Sequence, residues 1–466
     1  MKYIKVLACI IGLASMAELK AQQTGSAPQQ YSFSVQQAVD FALQNNVGVK
    51  NALLDISIAK QKTNEMLGAG LPQLNASGDL KYYAKAPVIN FPNFGNVVYS
   101  ILESEQLLNN PKPNLPATIP ASLFTKFVAT GSVDASQLIF DGGYIIGVKA
   151  SKKYNELTKQ NAEQTKIETS ANIRKSYYNV LVGNERLEIL NTNVTRLEKL
   201  LNDTKALLEN GFVEKIDADR LEVSLNNLKT ERDNIVRLLS LGSYVLKFQL
   251  GMNADDKLTL TDKLEDVDVK SFALIQSPTD AGKRIEYSVL QTTQTLQQLN
   301  IKRYQYGYLP SVVAYGSVQA QALRNEFDIF DTKKGWFPVG LIGGTIKIPI
   351  FDGLQKSAKI KQERFTLIKL QNGMEQLKNA IALETTSANI NLENALASLE
   401  TQSRNKKLAE EIMRVSKIKY DDGVGSNIEV VNAESSLRES VSNYYNALYN
   451  AIVAKIDLDK ATGNIK

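Results

Sequence analysis

The sequence predicts an α+β membrane protein. Long coiled-coil helices form a helical barrel, joined to a twelve-stranded β-barrel that three copies share with four strands per chain, and the whole is built from two tandem repeats. Three observations predict this. Beyond a short leader, the 466-residue chain reads twice through one succession of segments. Its longest proline-free stretches carry heptad apolar spacing, and each copy of the succession holds two alternating segments of membrane-crossing length.

Lys2 and Lys5 precede the apolar run from Val6 to Ala14, and small and polar residues lead to Ala21. Residues 1–21 therefore read as a signal peptide, too short to span a membrane, and the protein is expected to leave the cytoplasm. The only cysteine, Cys9, lies inside that run, and histidine is absent. The mature chain then offers no disulfide, no lipid anchor, no Cys–His or Ser–His nucleophile and no usual zinc ligands. No enzyme activity, cofactor or metal is expected. Past the leader, 51 basic and 48 acidic side chains leave a net charge of +3, which gives no reason to expect nucleic acid.

Ile139-Phe140-Asp141-Gly142 returns as Ile350-Phe351-Asp352-Gly353, and Asn210–Asp217 aligns with Asp422–Glu429 at nearly the same offset. Gly251 falls on Gly463, and the Leu71–Leu80 segment resembles Leu309–Val318 at a longer offset. Residues 22–252 therefore form repeat 1, 253–282 a linker or equatorial segment, and 283–466 repeat 2. Each repeat reads helix, strand, loop, strand, long helix, tight turn, helix. Leu187, Leu190, Val194, Leu197, Leu201 and Leu208 step by three and four, as do Leu221, Leu225, Leu228, Ile235 and Leu239 after the turn. In repeat 2, Leu392, Leu396, Leu399, Leu408, Ile412 and Val415 share one face. The long helices are expected at Tyr144–Asn210 and Leu354–Tyr420, with shorter ones at Val35–Met66, Glu214–Phe248, Arg284–Tyr304 and Asn427–Lys460. The long segments contain no proline, which would break them.

Strands are expected at Gln73–Lys85 and Phe124–Phe140 in repeat 1, and at Ser317–Ala322 and Thr345–Ile350 in repeat 2. Between the first pair lies a proline-rich loop, Ala86–Leu123. Aromatic residues gather nearby, among them Tyr82, Tyr83, Phe91, Tyr99, Phe127, Phe330, Trp336 and Phe337, as ordinary strand composition or as an interfacial girdle. Strands of about ten residues suit an outer membrane. Four cannot close a sheet, and lipid tolerates no open edge, so copies must share one barrel. The Ile-Phe-Asp-Gly motif is then the joint where a strand becomes a helix, with Asp141 and Asp352 as N-caps and Gly142 and Gly353 relieving the turn.

The Leu-Pro strand starts, the paired joints and the glycine-led turns at Gly211 and Gly423 together resemble the TolC-like outer-membrane efflux proteins, over essentially the whole mature chain. The resemblance implies a homotrimer in outer-membrane lipid that extends into the periplasm. It also implies a periplasmic adaptor protein, an inner-membrane transporter as partners, and a mixed collar near 254–282. It places Glu429 at an acidic position of the channel mouth. The second such position falls on Asn432, and a basic gating position of some members falls on Gly425. Asp217 is the corresponding acid of repeat 1. Either acid could line the mouth or merely favour its helix N-terminus. Gly211, Phe212, Val213, Gly423, Val424 and Gly425 are candidate adaptor-docking tips, and also good helix stops. A secreted coiled-coil scaffold or adhesin without a pore is the alternative; it leaves the paired amphipathic strands unexplained. The substrate is not legible.

Overall fold

In the computed structural model the described residues are 29–107, 113–122, 124–264, 267, 269, 272, 280–331 and 333–465. The expected leader lies outside them, as does most of 265–279 within the expected linker. The elements follow in order as β1 (Gln30–Phe33), α1 (Val35–Asn45), α2 (Val47–Gly68), β2 (Gln73–Tyr82), β3 (Ile89–Pro92), α3 (Phe94–Ser104), β4 (Thr118–Ala121) and β5 (Phe127–Phe140). Then come α4 (Gly142–Glu209), α5 (Lys215–Leu250), β6 (Lys257–Leu260), α6 (Ile285–Tyr306), β7 (Ser311–Arg324), β8 (Phe337–Lys347), α7 (Gln355–Asp421) and α8 (Asn427–Ala461). They form two compact units, and each draws on both halves of the chain.

One unit comprises Leu54–Asn161 and Glu286–Leu377. Its centre is an antiparallel sheet in the order β2-β5-β7-β8. Neighbouring strands place directly paired residues on the same side. One side thus collects Leu74, Ala76, Gly78 and Leu80 of β2, Ala129, Gly131, Val133 and Ala135 of β5, Gly316, Val318 and Ala320 of β7, and Pro338, Gly340 and Ile342 of β8. The other side collects Asn75, Ser77, Asp79 and Lys81, then Thr130, Ser132, Asp134 and Ser136, then Ser317, Gln319 and Gln321. Over its whole length β2 sorts apolar and polar residues by face, and β5 and β7 do so over 129–136 and 316–321. Val128, Leu138, Val313, Tyr315 and Leu323 also lie on the polar side, and Phe337, Val339 and Leu341 leave β8 apolar on both sides. The apolar side faces outward without cover: Leu74, Val133, Val318 and Ile342 are all more than half exposed. Ser77 and Ser132 share a 2.8 Å hydrogen bond on the polar side, and Ser132 donates to Asp134 at 2.9 Å.

At the sheet end away from the Ile-Phe-Asp-Gly joints, Tyr82 stacks on Phe127 at 4.9 Å between ring centres, and Phe127 meets Phe327 at 5.4 Å. The 86–123 stretch is not a plain loop. It holds α3 and the antiparallel pair β3–β4. Its prolines concealed these elements, because β3 and β4 each contain a proline that interior strands would exclude.

The joints differ more than their sequences do. At the first, the Tyr144 amide donates to Asp141 Oδ1 at 2.6 Å and α4 begins at once. Gly142 has an ordinary φ; a Cβ there would stand 2.7 Å from the Tyr306 carbonyl oxygen, so close approach requires glycine. At the second, α7 starts only at Gln355, after Gly353 (φ +64°) and Leu354 (φ +65°) in left-handed conformation. Asp352 is therefore not the residue adjoining the helix. It still takes the Lys356 amide on Oδ2 at 3.1 Å. Pro349 lacks the N–H that a ladder needs, and β8 ends at Lys347 rather than Ile350. That leaves the second joint longer and irregular.

The other unit comprises residues 29–53, Ala162–Ile285 and 378–465. Here β1 pairs in parallel with β6. Beside them a core forms from Ala38, Val39 and Ala42 of α1, Ile173, Tyr177 and Leu181 of α4, Leu246 and Leu250 of α5, and Leu448 and Ile452 of α8. The Tyr177 hydroxyl donates to the Phe33 carbonyl at 2.9 Å, and burial raises its pKa to about 12. The helix expected over Val35–Met66 is broken at Asn46 (ψ 130°). Asn46 Nδ2 donates to the Gln249 carbonyl at 2.7 Å, while its Oδ1 takes the Val49 amide at 3.2 Å, so one side chain ends α1 and caps α2. Unbroken apolar spacing hid this break.

The predicted heptads of α4 and α5 meet as Leu190, Val194, Leu197 and Leu201 against Ala218, Leu221, Leu225 and Leu228. The repeat 2 face is different. Ala409 and Met413 of α7 pack on Val430, Ala433, Leu437 and Val441 of α8, whereas Leu408, Ile412 and Val415 are exposed. A second exposed face occurs on α5, at Leu238, Leu241, Val245 and Phe248.

Candidate functional site

The α4–α5 and α7–α8 turns carry most of the candidate residues. Gly211 (φ +77°) and Gly423 (φ +74°) end their helices in left-handed conformation, where glycine avoids a Cβ clash. The Phe212 amide reaches back to the Leu207 carbonyl at 2.9 Å, and Val424 to Lys419 at 2.9 Å, which satisfies carbonyls at the helix ends. Phe212 and Val424 are left more than three-quarters exposed, and Val213 is half-buried.

Gly425 differs from the other tip residues. A Cβ there would stand 2.9 Å from Lys419 Cβ and 3.0 Å from the Tyr420 amide nitrogen. The position matched to a basic gating residue is therefore packed against its own helix end. Gly425→Ala is expected to destabilise the turn by about 1–3 kcal/mol through overpacking. Gly373→Ala, in open space on α7, should be neutral or slightly stabilising. Protease cleavage rates at the 422–426 turn distinguish the two.

Ser426 caps α8 by accepting the Glu429 amide on Oγ at 3.3 Å. Glu429 lies exposed in the first turn of that helix, and Asn432, one turn on, is exposed as well. Asp217, in the first turn of α5, is half-buried. Its carbonyl accepts from Asn427 Nδ2 at 3.1 Å, so buried Asn427 ties the start of α8 to the start of α5.

Above these turns, polar rungs join α4 to α8. Arg196 pairs with Glu434 at 3.1 Å, and Arg186 donates to Ser442 at 3.1 Å. Thr204 and Tyr420 hydroxyls lie 3.2 Å apart, linking α4 to α7. Glu434 is buried within the apolar stripe of α8, with Oε1 unpartnered, and burial raises its pKa despite the neighbouring guanidinium. The sequence reading missed Arg196, Asn427 and Glu434. A usable signal existed: Glu434 sits among Val430, Ala433 and Leu437, on a face otherwise apolar. Among the described residues no cluster of metal-binding side chains occurs.

The family model described as "Outer membrane efflux protein" matches residues 298–464, spanning β7, β8 and the α7–α8 turn. Outer membrane protein TolC of Escherichia coli strain K12 is 22% identical over 489 aligned residues, covering 99% of this chain and 87% of the relative. The chain is similar to the TolC-like outer-membrane efflux proteins. TolC of Vibrio cholerae is 20% identical over 63% of this chain and 67% of its own length. The fold is also that of the Campylobacter jejuni CmeC outer membrane channel, with a TM-score of 0.69 at 14% identity, over 97% of this chain and 91% of the other. The Vibrio cholerae outer membrane protein VceC gives a TM-score of 0.66 at 14% identity, over 92% and 96%.

Proposed function

We propose that three copies of this chain assemble into an outer-membrane channel-tunnel, the exit duct for substrates that an inner-membrane transporter delivers through a periplasmic adaptor. The protein is an outer-membrane efflux channel that extends into the periplasm, and it is not an enzyme. The observation that carries the trimeric reading is the β2-β5-β7-β8 sheet. Across β2 and the middle of β5 and β7 it has one apolar and one polar face, and among the described residues β2 and β8 are left as edges. Lipid permits the apolar face but not the edges. Because β2 and β8 run in opposite directions, copies can join edge to edge into one antiparallel barrel. Three copies contribute twelve strands, with the polar faces lining the bore.

The exposed apolar faces on α5 and α7 support the same reading, since isolated helices would not leave Leu241 and Ile412 in water without a partner. The order helix, strand, strand, long helix, helix over 47–250 and again over 285–461, with an insert in the first, supports the descent of both halves from one repeat. A particle mass of three chains in mild detergent is the expected result. A stable monomer, released from the outer membrane only by detergent, would contradict assembly.

Glu429 is proposed to face the axis at the periplasmic mouth, where one carboxylate per chain places three around a narrow opening. With Asn432 neutral, Glu429 carries the charge that favours cations, and Asp217 sits at the neighbouring turn. Glu429→Gln is expected to lower the cation-over-anion permeability ratio several-fold at low salt, read from reversal potentials. An unchanged ratio would move the constriction elsewhere. Gly211, Phe212, Val213, Gly423, Val424 and Gly425 are the proposed adaptor-docking tips, with Phe212 and Val424 as their apolar contacts.

A further inference from the structure

The insert between β2 and β5 is a built structure. Buried Asn93 accepts the Gly95 amide at 3.0 Å and donates Nδ2 to the Pro116 carbonyl at 3.0 Å, and Asn96 donates to the same carbonyl at 3.1 Å. Helix α3 is thus fixed at its base to the segment entering β4. Gly95, Asn96, Tyr99 and Leu102 are half-buried on one face. Phe94, Val97, Val98 and Ile101, at i, i+3, i+4 and i+7, form the opposite face, and each is about half exposed or more. An apolar face of this kind needs a cover.

We infer that a second copy of this chain covers it: α3 packs on the neighbouring copy's β7–β8 loop. The inference rests on the shared-barrel reading. Joining the β2 edge of one copy to the β8 edge of the next brings together the chain leaving β2 and the chain entering β8. Both lie at the aromatic end of the sheet. The insert follows β2 at that end, and the loop before β8 presents Phe327, Phe330 and Trp336, with Phe330 84% exposed. Apolar surface on one side of the seam therefore meets apolar surface on the other. Helix α3 contains no Lys or Arg and carries Glu103 in its last turn. A helix seated on an anionic lipid surface would be basic on its polar side, which disfavours lipid as the occupant. Each α3 would thus clasp one seam of the barrel at its outer end.

The test is a cysteine pair, Val98→Cys with Phe330→Cys, in the full chain, whose own Cys9 lies in the leader. Outer membranes are treated with a short flexible bis-maleimide and run on a denaturing gel, with particle mass in detergent measured alongside. Bands at two and three times the chain mass are expected from the pair and from neither single substitution. A trimeric particle giving no such bands, with this pair and with Ile101→Cys/Phe327→Cys, overturns the clasp while leaving the channel standing. Bands from Val98→Cys alone would set the helices against one another and overturn it too. A monomeric particle would instead remove the shared-barrel reading itself.

Discussion

Val318→Arg is expected to abolish assembly in the outer membrane, while Gln319→Arg, one residue along the same strand, is expected to preserve it. Both positions lie mid-strand on β7, and their pairing with Val133 and Ser132 of β5 puts them on opposite sides of the sheet. On the apolar side, an arginine near the bilayer midplane costs about 2–4 kcal/mol per site. The proposed barrel of three copies would meet that cost three times. On the polar side the guanidinium stays in water beside Ser132 and Gln321, and the cost nearly vanishes. The measurement is the amount of folded protein in purified outer membranes for each variant. Equal loss in both would mean that the sheet packs against protein on both faces, and equal tolerance would mean that neither face meets lipid.

Arg196→Met carries the second large effect, at the other unit. Glu434 has left water, and Arg196 is its one ion-pair partner within 4 Å among the described residues. Removing one member of a buried pair leaves an uncompensated charge and costs about 3–5 kcal/mol. Because Arg196 is itself one-third exposed and Arg438 lies close enough to act on Glu434, the loss belongs at the lower end of that range. It should appear as faster amide exchange across 430–441, where α8 packs on α7. The paired substitution Arg196→Met with Glu434→Leu should recover most of the loss, since nothing charged is then buried.

The pH dependence has a definite sign. Burial holds the folded-state pKa of Glu434 above its unfolded value. The stability this group contributes is therefore fully present below the unfolded carboxyl range, and is lost as pH rises through the folded value. Taking Arg196 away removes an influence that lowers this pKa. The deficit of Arg196→Met should shrink on acidification, and a deficit independent of pH would mean that Glu434 is solvated in the folded chain.

How much of this was legible in the sequence varies by element. The four long helices were, within two or three residues at either end, because heptad spacing and the absence of proline act over dozens of positions. The glycine turns were legible for a local reason: Gly211 and Gly423 occupy backbone conformations that other residues adopt at a cost. Strand bounds in repeat 2 were not, because Ser311–Arg324 alternates regularly over only part of its length. The α3 insert was hidden behind its prolines, and the Asn46 break behind continuous periodicity. The exposure of Leu408, Ile412 and Val415 could not be read from spacing. A heptad face marks a surface that wants a partner, and does not say whether that partner lies in the same chain. For the mouth, residue type pointed to Glu429, whereas Glu434 and Arg196 emerge only once α4 and α8 are side by side.

Planar-bilayer recording of the detergent-purified protein tests the central claim most directly. Discrete, small, cation-preferring conductance steps are the predicted result, since a continuous polar bore with a narrow acidic mouth passes few ions and selects their sign. A folded preparation, extracted from outer membranes at three-chain mass, that inserts into the bilayer and never conducts would contradict it.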